Sequence, residues 1–372
     1  MLTQGQWQAR KRVIVDGHAT PSDGRGALQF LSVIVPIGAL WVVIEWASDD
    51  TSWLIPAATL CLSLFLLRGF VLMHDCGHDS LFRSRPLNRV VGFLLGVLSG
   101  MPQPVWAENH RYHHTTNGNW AKYRGPLDVA CVSDYLAMDE RGRRRYRVTR
   151  DILMAPIAGC LYFLVNPRVT WLRATFQLLR RRLARADRRP SLDEALRRTC
   201  ASAAHYRHMT WNNLFLLAAW AAMAWAVGPW LFLACWVVSG SLAGGYGIVL
   251  FTVQHNFEHA YASADAGWDR DEAAILGTSF LVLPRWLNWI TADAAYHHVH
   301  HLCASVPNYR LAACHQEHAL LFANVKRVGL FEIPASLKYV LWDQAERRLV
   351  SVDEVMQQQA ACAVAAAEPQ HA

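Results

Sequence analysis

No two of the nine cysteines in this 372-residue chain are spaced as CxxC. That excludes a zinc ribbon and a dithiol redox motif. A haem-attachment motif and a ferredoxin cysteine set are absent too, so no electron-transfer module is fused to the chain. The first 25 residues are polar and lack the apolar run of a signal peptide. Acidic residues are the scarcer charged class, 29 against 36 Lys and Arg, for a formal net charge of +7. Much of the excess sits in two arginine-rich runs at 141–150 and 180–189. Neither run is interleaved with an RNA- or DNA-binding pattern, so nucleic acid is not an expected partner.

Long apolar runs are what the chain has instead. A bilayer core needs about 20 residues of helix. Residues 27–47 meet that length, as do 53–73 after the short acidic link SDDTS. Glu45 and Arg68 lie near the ends of these runs, where a long side chain reaches water. A second pair follows at 211–227 and 230–253, joined at Gly228-Pro229. Two shorter runs, 90–105 and 152–165, contain Gly or Pro and read as interfacial or half-inserted. Sixteen tryptophans are present, and Trp41, Trp46, Trp53, Trp106, Trp211 and Trp230 sit at block edges, where an amphipathic ring favours the membrane interface. Cys61, Cys160 and Cys235 fall inside apolar blocks and behave there as small hydrophobes.

The expected fold is an all-α integral-membrane protein with four transmembrane helices in two hairpins plus interfacial helices. Arg10, Lys11 and Arg12 precede the first span, and both arginine runs lie between the hairpins. The positive-inside rule then makes residues 1–26, 74–210 and 254–355 cytoplasmic. One domain is expected over 27–355, capped by a helical cytoplasmic region, with a disordered tail at 356–372.

The seventeen histidines cluster on that cytoplasmic side. HDCGH starts at His74, HRYHH at His110, QHNFEH spans 254–259 and YHHVHH spans 296–301. His74 and His78 are i, i+4, so a helix presents both on one face. His110, His113 and His114 are i, i+3 and i+4, and His297, His300 and His301 repeat the pattern. His298 is turned about 100° away. With His255, the one-face histidines number nine, too many for one metal and enough for two. Imidazole suits iron, copper, nickel and zinc alike. His18, His205, His208 and His371 stand alone, and His315 and His318 form a minor i, i+3 pair. Asp75, Glu258 and Asp293 are candidates to orient imidazoles by accepting their other N–H.

HDCGH, HRYHH and HHVHH resemble the three histidine boxes of membrane fatty-acid desaturases. HDCGHDSLFRSR, HHTTNGN, VQHNFEHAY, GTSFLVLPRWLNW and HHVHHLCASVPNYRL are similar to the bacterial acyl-lipid branch. The resemblance covers about residues 65–320 and implies two irons, with O2 as co-substrate. The implied metal ligands are His74, His78, His110, His113, His114, His255, His297, His300 and His301, with no catalytic residue beyond them. The family pattern around the further ligand does not require a histidine where His259 stands, so His259 is left outside the set.

The resemblance further implies removal of two hydrogens from adjacent methylenes of a lipid-linked acyl chain, in a bacterial cytoplasmic membrane, with both termini and the site cytoplasmic. Electrons would come from a separate donor, a ferredoxin or a cytochrome with its reductase; the arginine-rich face suits an acidic donor or, equally, anionic lipid headgroups. Gly240, Gly244 and Gly245 would let helices approach closely, for simple helix packing first and around an acyl tunnel second. Two other readings stay open from the residues. Histidine-box membrane enzymes also hydroxylate or ketolate lipids, alkanes or carotenoids. A metal transporter would instead place its ligands near the bilayer midplane on broken helices.

Overall fold

The computed structural model describes residues 4–183, 191–196 and 199–367. Helix α1 (Gln4–His18) leads into α2 (Asp23–Asp50), which Ser22 caps by accepting from the Arg25 N–H while Asp23 supplies an acid to the first turn. Leu28, Val35, Val42 and Trp46 of α2 are exposed, the expected state of side chains meant for lipid rather than protein. Helix α3 (Leu54–Gly77) packs against α2 and runs past its apolar stretch, so His74 is carried on the same rigid rod. Helices α4 (Arg85–Leu98) and α5 (Gln103–Thr116) meet at 101°. Gly100, at φ +71°, makes the corner, a conformation that costs glycine little.

Two short helices, α6 (Val132–Ala137) and α7 (Glu140–Val148), precede a long continuous one. Its parts are α8 (Ala155–Cys160), a π turn at 161–165 and α9 (Asn166–Leu183). After α10 (Leu192–Leu196) come α11 (Ala203–Val227) and α12 (Pro229–Val253), joined at Gly228. Trp220 packs on Trp236 at 4.5 Å between ring centroids, pairing the two helices at equal distance from that joint. Trp225 and Trp230, 89% and 81% exposed, flank the joint as interface anchors would.

Among the described residues, four helices are long and apolar enough to cross a membrane: 23–49, 54–77, 152–183 and 229–253. The number matches expectation but the membership differs. The stretch 152–165, expected to be interfacial, opens the continuous helix 152–183. The expected span 211–227 lies in α11 and falls outside the four, because Asn212, Asn213 and its tryptophans dilute its apolar residues. Helices α4 and α5 together would make a fifth, as one broken span.

Close packing of α8 on α12 rests on three glycines. A Cβ on Gly244 would stand 2.6 Å from the Gly159 Cα, and one on Gly245 would stand 2.9 Å from the Pro156 nitrogen. The expected close approach therefore holds for Gly244 and Gly245. At Gly240 a Cβ would meet only Leu164, at an ordinary 3.4 Å.

The remaining helices are α13 (Arg270–Leu276), α14 (Arg285–Ile290), α15 (His297–Leu302), α16 (Asn308–Glu317), α17 (Ile333–Ser336) and α18 (Val352–Ala367). Two small sheets interrupt the helices. Strand β1 (Ala130–Cys131) runs parallel to β4 (Tyr339–Asp343), which pairs antiparallel with β5 (Arg348–Ser351). Strand β2 (Ser279–Val282) pairs parallel with β3 (Lys326–Gly329), Ser279 opposite Lys326. The expected tail at 356–372 departs from expectation, since α18 continues to Ala367 on alanines and glutamines that favour helix. Residues 368–372 lie outside the described residues, as do His371 and most of the second arginine run. All nine cysteines are free thiols.

Candidate metal centre

The nine histidines arrive on four supports. His74 rides the last turn of α3 and His78 caps it. His110, His113 and His114 lie on one buried face of α5, while Arg111 and Tyr112 point outward and are exposed. His255 follows α12 by two residues, and α15 carries His297, His300 and His301. The nine are brought together in two groups: His74, His78, His110, His114 and His300 in one, and His113, His255, His297 and His301 in the other.

Spacing inside the groups tests whether metal fits. Nε2 of His114 lies 2.9 Å from that of His110 and 3.0 Å from that of His300. In the second group, Nε2 of His113 is 3.1 Å from that of His301, and Nε2 of His255 is 3.0 Å from that of His297. Imidazole binds first-row metals such as zinc at about 2.1 Å, so ligands at right angles stand about 3.0 Å apart. The observed edges match that figure. The His78 Nε2 is buried without any hydrogen-bond partner, an arrangement that costs about 1–3 kcal/mol unless something accepts its lone pair.

Electrostatics agree with a neutral, metal-ready set. Burial pushes the His255 imidazole down to about 4, with the Gly277 carbonyl pulling the other way. Burial, then the neighbouring histidines, holds His297, His300 and His301 well below the usual range. Unprotonated imidazole is the form that binds a metal.

The supporting contacts sort the other sequence candidates. Asp75 Oδ1 stands 2.9 Å from His74 Nδ1, and its other oxygen accepts the Asn308 N–H at 3.3 Å. The Gly277 carbonyl lies 3.2 Å from His255 Nδ1. Glu258 does not orient an imidazole of either group; it accepts from Arg348 at 3.2 Å. His259 is exposed beside it. Asp293 faces Arg68, and burial pushes its carboxyl up to about 6 against that attraction. His298 is buried outside both groups, with Nε2 2.8 Å from His315 Nδ1.

Two aromatic residues were not legible as site residues. Trp106 stacks on His110 with centroids 4.6 Å apart. Phe251 lies 5.1 Å from the His113 ring and 5.7 Å from that of His255. Each precedes a histidine of the groups by four residues, and that spacing was the available signal. Both line a cavity of about 460 Å³ that reaches His110 and His113 and continues along Tyr162, Phe163 and Gly244. Its walls are mostly apolar, within the size range of small-ligand sites.

Residues 51–328 match the family described as fatty acid desaturase. The chain is 34% identical to a fatty acid desaturase of Bacillus subtilis over 354 residues, 94% of this chain and 92% of that one. It is 24% identical to an sn-1 oleoyl-lipid 12-desaturase of Synechocystis over 76% of this chain and 74% of the relative. Likeness to a chloroplastic omega-6 fatty acid desaturase of spinach is 23%, over 71% of this chain and 53% of the relative. Histidine groups, apolar cavity and relatives agree: the chain belongs to the fatty acid desaturase family, a family of oxidoreductases.

Proposed function

We propose that the protein desaturates the acyl chain of a membrane lipid, using O2, two irons held by the nine histidines and electrons from a separate donor. The observation that carries this reading is the pair of histidine groups with imidazole nitrogens at cis-ligand spacing, opening on an apolar cavity. His74, His78, His110, His114 and His300 would hold one iron; His113, His255, His297 and His301 would hold the other. The bound pair supplies activation of O2. Two hydrogens from adjacent methylenes, with two electrons from the donor and two protons from solvent, would reduce O2 to two waters and leave an alkene.

The chain's own residues would bind and orient. An acyl chain offers no polar handle, so its position relative to His110 and His113 depends on wall shape alone. Trp106 and Phe251 shield the histidine face from water, which limits side reactions. The name of the Synechocystis relative supports a lipid-linked substrate.

Two hairpins, α2 with α3 and α11 with α12, would cross a bacterial cytoplasmic membrane with the histidines on the cytoplasmic side. Helix 155–183 supports this by crossing the second hairpin. Gly159 meets α12 at Gly244, while Arg168 meets Asn213 at 2.9 Å and Trp171 meets Thr210 at 3.1 Å on α11. Those contacts lie at similar distances from the Gly228 joint, so the helix runs across both partners, as an interfacial helix does. Arg141, Arg144, Arg145 and Arg147 of α7 are exposed and suit an acidic electron donor or anionic headgroups.

The test is expression in a host that lacks the activity, with total lipids resolved by gas chromatography–mass spectrometry and double bonds mapped. A new unsaturated acyl lipid is the expected product. A hydroxylated or ketolated lipid without any new double bond would overturn the reading.

A further inference from the structure

Outside the nine histidines, a third set of ligating side chains converges where α1 meets α16. One nitrogen each from His18 and His318 and the sulfur of Cys314 all lie within 4.8 Å of one another. Cys314 and His318 are i, i+4 on α16 and its cap, so they share a face. His18 is the last residue of α1, 94% buried from solvent at a relative exposure of 6%. Its Nε2 is 3.0 Å from a Glu317 oxygen but lacks the alignment of a hydrogen bond. The His318 Nε2 is buried with no partner at all. A buried imidazole nitrogen without a hydrogen-bond partner, on a ring grouped with a buried thiol and a second buried histidine, is a costly arrangement unless a ligand satisfies it.

We propose that His18, Cys314 and His318 bind a structural zinc-class divalent cation that clips α1 onto α16. The donor set is the nitrogen and sulfur mixture that zinc favours, with three protein positions and the exposed Glu317 carboxylate beside His18 within reach of the fourth. The all-imidazole groups of the metal centre are chemically different. On binding, the thiol proton leaves as the sulfur–metal bond forms, with no change of oxidation state. Burial pushes the free Cys314 thiol up to about 12, so without a cation that proton stays. The clip would brace the third histidine box. Trp7 and Ile14 of α1 share a core with Val299 and Leu302 of α15 and with Cys314 itself.

Cobalt distinguishes this site from the histidine groups, because thiolate ligation adds a sulfur-to-cobalt charge-transfer band that imidazole alone does not give. The full chain, purified in detergent and stripped of metal, is titrated with cobalt, and a parallel sample grown with zinc is assayed for zinc and iron. The wild type is expected to show the thiolate band and about one zinc per chain beyond the histidine groups. Cys314→Ser should lose both while keeping its iron. His18→Ala, which leaves the buried thiol in place, should weaken the band in the same way. Absence of the band in the wild type overturns the site, whatever the variants do. A band and zinc count unchanged in Cys314→Ser or His18→Ala overturns it as well. None of these readouts depends on desaturation, so failure here would leave the proposed activity standing.

Discussion

His113 and His301 are 188 residues apart in sequence, yet their Nε2 atoms face each other at 3.1 Å. Neither nitrogen has a better partner in the fold, and each belongs to the four-histidine group. His113→Ala is expected to abolish the unsaturated product and to lower iron content by about half, one metal of two. Expression and membrane insertion should be unchanged, since the side chain packs at the histidine site, against His255, His301, Phe251 and Tyr123, rather than within a hydrophobic core cluster. Lipid profiling and iron analysis of the same preparation check this. Full activity in the variant would sink the assignment of ligands.

Asp75 bridges His74 and the N-terminal end of α16. A carboxylate at His74 Nδ1 keeps the proton there and leaves Nε2 free to ligate. Asp75→Asn presents an amide that no longer enforces that tautomer. A loss of about 10–100-fold in iron affinity is expected, the usual range for such partners. Titration of the apo protein with ferrous ion reads it directly; unchanged affinity would mean that Asp75 serves packing only.

His259 and His298 separate surface from core. His259 is exposed, so His259→Ala should retain full activity and iron. His298→Ala would leave His315 unpaired in a pocket walled by Phe280 and Phe322, and a loss of about 2–4 kcal/mol is expected. Denaturant midpoints and iron counts measure the two effects. Loss of iron from a fully folded His298→Ala protein would contradict the division.

The cavity walls are expected to set which acyl chains fit. Ala158 lines the cavity on α8, opposite the residues of α12. Ala158→Phe should reduce desaturation of longer acyl chains more than of shorter ones, by shortening the space beyond His110 and His113. Product chain lengths from the heterologous host report this, and a uniform loss across lengths would argue against a length-setting wall. Gly244→Val is expected to be more damaging, because its Cβ would meet the Gly159 backbone. Overpacking of that kind costs about 1–3 kcal/mol.

Local periodicity carried a large part of this protein. Helical spacing selected eight of the nine histidines and turned His298 away, the family resemblance separated His255 from His259, and apolar run length marked helices α2, α3 and α12. These are properties of one segment at a time, where 3.6 residues per turn determines which side chains share a face. The small sheets, the helix crossing α11 and α12, and the cavity between α5, α8 and α12 depend on distant segments meeting, so no window of sequence contains them. The division of the histidines into five and four was also decided by tertiary structure. Adjacent residues on a helix point about 100° apart. The neighbours His113 and His114, and likewise His300 and His301, therefore turn to different groups, whereas the i, i+4 pairs His74/His78, His110/His114 and His297/His301 stay together. Sequence determined that these side chains would line one side of each short helix. Only the packing of α3, α5 and α15 around the end of α12 decided which of them meet.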